Sequence, residues 1–210
     1  MPIDLEALFR PRVAVLTTEC QRGVIGPNGP LPALVEEVRA SGIVPNGARV
    51  LAAARAAGAP VLHGTVHRRE DGGGVMMNCR LFTVTAKSGA PPLLAGSEQA
   101  KVIEEFGPVE SDYEVPRYHG VSLFHDTEMD SILRSLGVTT VVLLGVSLNI
   151  AILGTTIEAV NRGYQVVIPH DGVIGTPAEY GEEVLKNSMR MLATVTDCDA
   201  VVKALGAVAC

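Results

Sequence analysis

Short, uninterrupted runs of aliphatic and β-branched residues recur along this chain, with longer stretches of helical spacing between them. Val13–Thr18 (VAVLTT), Pro60–Thr65 (PVLHGT), Thr140–Val146 (TVVLLGV) and Tyr164–Ile168 (YQVVI) are such runs. Apolar runs of this length read as strands buried on both faces. The pattern predicts helices over Leu31–Ala40 and Gly47–Ala57, with Val44-Pro45-Asn46 breaking one from the other. It predicts further helices over Ser97–Phe106, with Ser97 as N-cap, and over Asp126–Leu136, capped by Asp126 and stopped by Gly137. Asn149–Arg162, stopped by Gly163, and Ala178–Leu192, which starts just after Pro177, complete the long ones. Tyr113–Arg117 reads as extended, and Thr194–Thr196 and Asp199–Leu205 close the chain. The stretch His67–Leu94 has no regular period and is punctuated by Gly72-Gly73-Gly74 and Pro91-Pro92. A long irregular segment inside a compact domain is more often functional than idle.

Strands alternating with helices imply βαβ crossovers and a mostly parallel sheet. The length, 210 residues, fits a single α/β domain over 1–210. In such sheets the ligand crevice lies beyond the carboxyl ends of the strands. Three stretches meet that condition: Glu19-Cys20-Gln21, the region after Thr65, and Ser147–Ala151.

Composition sharpens this picture. Hydrophobic residues make up 47% and charged residues 19%, which argues against disorder. Aromatics are only 4%, so the core is aliphatic. The net charge of −6 and the lack of basic runs longer than Arg68-Arg69 set nucleic acid aside as a partner. No stretch is apolar enough to span a membrane, and Met1–Arg12 is not a signal peptide. The four cysteines, Cys20, Cys79, Cys198 and the terminal, frayed Cys210, form no CxxC pair, which fits a reducing, cytoplasmic compartment.

Three positions carry candidate chemistry. Glu19, just after a buried strand, can act as general acid or base, or merely cap a loop. Arg117 can clamp a carboxylate, from Glu19 or from a substrate, or be an ordinary surface cation. It stays charged and carries no proton. The helix start at Ser147–Ala151 offers backbone N–H groups to an anion, with Ser147 or Asn149 as cap. His63 reads as a core residue, and its spacing of four from His67 does not make a ligand pair on a strand. Cys20 reads as a packed thiol whose side chain points away from that of Glu19. No GxGxxG and no GxxxxGK[ST] is present, so no nucleotide cofactor is indicated.

Taken in order, these stretches resemble the isochorismatase-like hydrolase family, also called the cysteine hydrolase or nicotinamidase-like family. The resemblance covers about Arg12 to Val202. Its most specific part is LLGVSLNIAILGTTIEAVNRGYQVVIPHDGV, Leu143–Val173, with Gly145-Val146, Gly163-Tyr164 and Asp171 at family positions. VAVLTTECQRG resembles the family's first strand and Asp-x-Gln motif, and VPRYHGVSLFHDTEMDSILRSLGV its Lys-bearing block. The resemblance implies a three-layer α/β/α sandwich with a mostly parallel central sheet, Rossmann-like in character. It implies a homodimer or homotetramer, and often a cis peptide, here at Val146–Ser147. It also implies an Asp, Lys and Cys triad, and all three positions differ here: Glu19 stands for the Asp, Arg117 for the Lys and Ala151 for the Cys nucleophile. Gln21 matches the motif. Gln21, Ser147, Leu148 and Ile150 are the candidate substrate-binding residues. The metal-binding Asp and His set of nicotinamidases has no counterpart around Gly64–Arg68, so neither metal nor cofactor is expected.

Ala151 has no nucleophilic atom, so a thioester there is excluded. One reading is a hydrolase acting on a small molecule by acid/base catalysis, as the isochorismatases proper do without a Cys. The alternative is an inactive family member that binds a small anion or serves a structural role. A third recruits Cys20, or a residue of the His67–Cys79 loop, as a new nucleophile.

Overall fold

The computed structural model describes residues 4–209. Seven strands form one sheet: β1 (Val13–Thr18), β2 (Val61–Val66), β3 (Tyr113–Arg117), β4 (Thr140–Val146), β5 (Gln165–Pro169), β6 (Val173–Ile174) and β7 (Thr194–Thr196). The helices are α1 (Leu5–Phe9), α2 (Arg22–Ile25), α3 (Pro32–Ala40), α4 (Ile43–Ala56), α5 (Arg80–Ala86), α6 (Met129–Ser135), α7 (Leu153–Asn161), α8 (Ala178–Val184), α9 (Arg190–Leu192) and α10 (Cys198–Val208). The strand order is β3-β2-β1-β4-β5-β7, every pairing is parallel, and β6 pairs with β4 at Gly145 and Val146.

Alternation along each strand sorts the core into two layers. Val13 and Val15 of β1 share one layer with Val50, Leu51 and Ala54 of α4 and Val201 and Leu205 of α10. Ala14 and Leu16 share the other with Met129 and Leu133 of α6 and Ala159 of α7. All six residues of β1 and all seven of β4 are buried, as strands covered on both faces must be. The result is the expected α/β/α sandwich. From β1 the sheet grows outward through β2 and β3. From β4 it grows the other way through β5 and β7. The topological switch point therefore lies between β1 and β4, and ligand crevices open there, beyond the carboxyl ends. No helix among the described residues is long and apolar enough to cross a membrane.

Several local expectations are corrected. Val44-Pro45-Asn46 does not break a helix: α4 starts at Ile43, and Pro45 sits in its first turn, where a missing N–H leaves no intrahelical bond unmade. Ser97–Phe106 is not a helix beyond the single turn Glu104–Phe106. Its backbone instead pairs with the Cys20–Gly23 segment: Arg22 N–H donates to Lys101 O, Gly23 N–H to Gln99 O and Ile103 N–H to Cys20 O. Asp126 does not cap α6. Its φ is +49°, and Thr127 Oγ1 accepts from Met129 N–H at 3.3 Å instead. The helix expected from Asn149 begins as a wide turn over Leu148–Ile152 before α7 takes over. Such wide turns inside helices are frequent at functional sites. The His67–Leu94 stretch contains one short helix, α5. Cys210 lies outside the described residues.

Candidate active site

Glu19, the residue after β1, is one of two described non-glycine residues in the left-handed region, with φ +56°. That conformation costs an L-residue about 1–3 kcal/mol and persists only where its surroundings fix it. Here Glu19 N–H donates to Gly64 O at 2.9 Å and Gln21 N–H donates to Glu19 O at 2.9 Å, so the turn is held from both sides. Close approach at the switch point needs Gly145, φ +104°: a Cβ there would lie 2.5 Å from both Cys20 Sγ and Thr18 O.

Arg117 ends β3, two strands away from β1 across β2. Adjacent strands lie about 4.8 Å apart, so the Arg117 and Glu19 side chains together bridge roughly 10 Å over the end of β2. It is 3% exposed. Nε donates to Gly120 O at 3.1 Å and Nη2 donates to Glu19 Oε1. Nη1 has no partner. Among the described residues it is one of two buried side-chain polar atoms left so, the other being Thr18 Oγ1. A buried N–H without an acceptor is costly, and such orphans are rare in native structures. The structure thus joins the two charged positions singled out in the sequence and leaves one donor aimed at nothing in the protein.

Ala151 is 2% exposed and lies in the Leu148–Ile152 turn, beyond the end of β4. The peptide Val146–Ser147 is cis. Ser147 caps the turn by its backbone: its carbonyl accepts from Ile150 N–H and Ile152 N–H, both at 3.1 Å. Asn149 is no cap; its Nδ2 donates to Thr176 O at 3.2 Å. Ser147 and Ile150 are half-buried, whereas Leu148, 1% exposed, is packed in the core.

Gln21 is fully buried and its amide is spent on the backbone. Nε2 donates to Val66 O at 3.0 Å and Ala100 O at 2.7 Å, and Oε1 accepts from Val66 N–H at 2.7 Å. It therefore braces the end of β2 against the Cys20–Gly23 segment. Cys20 is buried, its Sγ–H donates to Thr18 O at 3.4 Å, and burial, then the charge of Glu19, push its thiol well above the usual range. A thiol in that state is inert.

Sequence reasoning passed over a second polar cluster, on the α4 face of the sheet. Asp112, just before β3, accepts from Arg55 Nη2 at 2.7 Å, Arg55 Nε at 3.2 Å and Val109 N–H at 3.1 Å. His63 Nε2 donates to Asp112 Oδ2 at 3.2 Å, so Nδ1 is the acceptor for Thr17 Oγ1–H at 2.8 Å. His67 is separately engaged, donating to Glu114 Oε1 at 3.1 Å, and that bond holds the Glu114 carboxyl below its usual range. Among the described residues no three His, Cys, Asp or Glu side chains are grouped to hold a metal ion. Only the strand pairing of β2 with β3 brings Asp112 to His63, and no local motif announces it.

A model of the isochorismatase domain matches residues 13–200. The chain is 27% identical over 206 residues to the ureidoacrylate amidohydrolase RutB of Methylobacterium radiotolerans, covering 91% of this chain and 79% of that one. It is 29% identical over 129 residues to the secreted isochorismatase effector Isc1 of Verticillium dahliae, covering 61% of this chain and 58% of the effector. Several other curated relatives are matched over about half of their length. A cysteine hydrolase from Pseudomonas syringae pv. phaseolicola superposes with a TM-score of 0.81, covering 99% of this chain and 96% of that one. Its 24% identity speaks for the fold alone.

Proposed function

Because the chain belongs to the isochorismatase family of hydrolases, we propose that it cleaves a small molecule with water as the nucleophile, Glu19 handling the proton and Arg117 the developing negative charge. The observation that carries this reading is the Glu19–Arg117 pair at the switch point, whose Arg117 Nη1 is buried and unpartnered. A substrate oxygen placed there completes the guanidinium's bonding, and the bond strengthens as charge grows on that oxygen. Glu19, 19% exposed at its side chain, stays reachable by water. As a charged acceptor it takes a proton from water and returns it to the leaving group. The Ser147–Ala151 turn presents its N-terminal end to the same crevice. Ala151 stands where the family nucleophile falls and supplies no atom to attack, so no covalent intermediate forms there. Gln21 acts as a brace. Ser147 and Ile150 border the substrate, with Leu148 behind them. A homodimer or homotetramer in the cytoplasm is part of the same proposal.

The test is a panel of small amides, ureido acids and vinyl ethers assayed with purified protein. Glu19→Gln is expected to lower kcat about 10²–10⁴-fold, the usual contribution of a positioned acid or base. Hydroxylamine is expected to trap no acyl-enzyme. Unchanged activity in Glu19→Gln sinks the proposal. A second reading, a non-catalytic binder of a small anion, draws on the engagement of the Glu19 carboxylate by Arg117. Saturable ligand binding without turnover across the panel would select it.

A further inference from the structure

A cavity of about 440 Å³ lies beneath the His67–Leu94 stretch, a volume within the usual range for small-molecule sites. Its walls are mostly apolar, with Val75, Met77, Phe82, Leu93 and Leu94 among them. Arg68 is the half-buried cation on the wall, and the one acid there, Glu70, is exposed. Its neighbour Arg69 is exposed and already paired with Asp71 at 2.7 Å.

Arg68 is held in place by its backbone, whose N–H donates to Leu93 O at 2.8 Å and whose carbonyl accepts from Ala95 N–H at 3.3 Å. Its Nη1 donates to His67 O at 2.9 Å and to Tyr118 O at 3.2 Å. Among the described residues no carboxylate lies within ion-pair distance of it, and Nε and Nη2 have no protein partner. Those two N–H groups form the side edge of the guanidinium, whose parallel donors match the two oxygens of a carboxylate. Burial, and after it the nearby Arg117 cation, lower the pKa of Arg68, so an anion at this edge relieves both costs. Arg68 also lies close enough to the Glu19–Arg117 pair for both of its charges to act on it, and it holds the carbonyl of Tyr118, the residue after Arg117.

We propose that the cavity binds a small monocarboxylate with an apolar body, the carboxylate on the Nε–Nη2 edge of Arg68 and the apolar body among Phe82, Met77, Leu93 and their neighbours. One free guanidinium edge suits a single carboxylate; a phosphate dianion would need a second cation, and Arg69 is taken. The inference deepens the proposed function by naming its substrate class, and it rests on that reading for turnover but not for binding.

Titration calorimetry with phenylbutyrate and its uncharged amide, phenylbutanamide, tests it. The acid is expected to bind about tenfold or more tightly than the amide, the worth of charge-assisted hydrogen bonds over neutral ones. Arg68→Gln is expected to erase the preference, Arg68→Lys to keep part of it, and Phe82→Ala to weaken acid and amide alike. Equal binding of acid and amide by the unaltered protein overturns the proposal, as does a preference that survives Arg68→Gln, or no saturable binding of either. Should Arg68→Gln not fold, the acid-to-amide ratio of the unaltered protein and of Phe82→Ala decides. Acid binding with no turnover across the hydrolase panel removes the proposed function and keeps this inference. Turnover that shows no preference for carboxylates does the reverse.

Discussion

Two buried ion-paired clusters lie within a few strands of each other, and they differ in one respect. In the cluster of Thr17, His63, Asp112 and Arg55, the carboxylate takes bonds from two side chains and one backbone N–H. Both nitrogens of its histidine are used as well. In the cluster of Glu19 and Arg117, the pair is as close, yet Arg117 Nη1 is left open. Titratable side chains that are dry and paired satisfy the first search for an active site equally well in both places. What separates them is satisfaction. A network with every donor and acceptor matched fixes the fold, and a ligand has nothing to add to it. A network with a buried donor unspent is completed by something from outside.

The sharpest way to break this contrast is to remove the centre of the closed cluster. Asp112→Ala leaves Arg55 and His63 Nε2 without their shared acceptor, and Arg55 keeps only the Phe106 carbonyl, 3.0 Å from its Nη2. Asp112 is 4% exposed at its side chain and Arg55 22%, so little water can compensate. The loss of one partner from a buried pair costs about 3–5 kcal/mol, and a value near 3 is expected here because Arg55 reaches solvent. Urea unfolding measures it. Binding of phenylbutyrate by the fraction that remains folded is expected to be unchanged. A stability loss below about 1 kcal/mol would mean that the closed cluster is not a structural one.

The same cluster gives the fold an acid-sensitive side with a definite sign. Burial lowers the pKa of His63 below its ordinary 6.5, and Asp112 opposes the shift without cancelling it. Burial pushes Asp112 up, but the bonds from Arg55, Val109 and His63 outweigh it and leave the carboxyl below its ordinary 3.8. In both cases the unfolded chain binds the proton more readily, so stability falls as pH falls. The His63 contribution is complete above about pH 6.5 and drains as pH drops from there toward its folded value. That of Asp112 begins to drain only below about pH 4. The slope from a single proton reaches at most about 1.4 kcal/mol per pH unit. His63→Gln, although less stable throughout, is expected to flatten the loss between about pH 6.5 and 5 while leaving the lower step. An unchanged slope would move the titrating group elsewhere.

Much of this was legible in the residues, and the illegible part of the site has a common cause. The strands Val13–Thr18 and Thr140–Val146 have the bounds read from their apolar runs, because burial on both faces imposes its own composition. The strand-end rule led to Glu19 and the Ser147–Ala151 turn without any contact being known. Three of the failures involve partners distant in the chain. Ser97–Phe106 has helical composition, but the Cys20–Gly23 segment, about eighty residues earlier, claims its backbone carbonyls. Asp112 has no motif around it, and its meaning comes from Arg55 and His63, which strand pairing and the packing of α4 deliver. Gln21 looked like a ligand for substrate because the family motif holds it. Its amide is used instead to tie the end of β2 to Ala100.

The smallest effect separates the two regions most finely, since both described non-glycine residues with positive φ can be compared. Glu19 has φ +56° and Asp126 +49°. Asp126 is 91% exposed at its side chain, and its one charged contact is His125 at 3.4 Å. Glycine adopts this conformation without the steric cost, at the expense of a more disordered unfolded chain. Asp126→Gly is therefore expected to stabilise by up to about 1 kcal/mol, because nothing of value leaves with the carboxylate. Glu19→Gly relieves the same backbone cost but strands Arg117, 3% exposed, without its counter-charge. The loss of that pair exceeds the relief, and the variant is expected to be less stable than the parent in the same urea experiment. Were both substitutions to stabilise by similar amounts, the Glu19–Arg117 pair would hold nothing together. The left-handed turn at Glu19 would then be a feature of the loop, and the case for a site at the switch point would rest on Arg68 and its cavity alone.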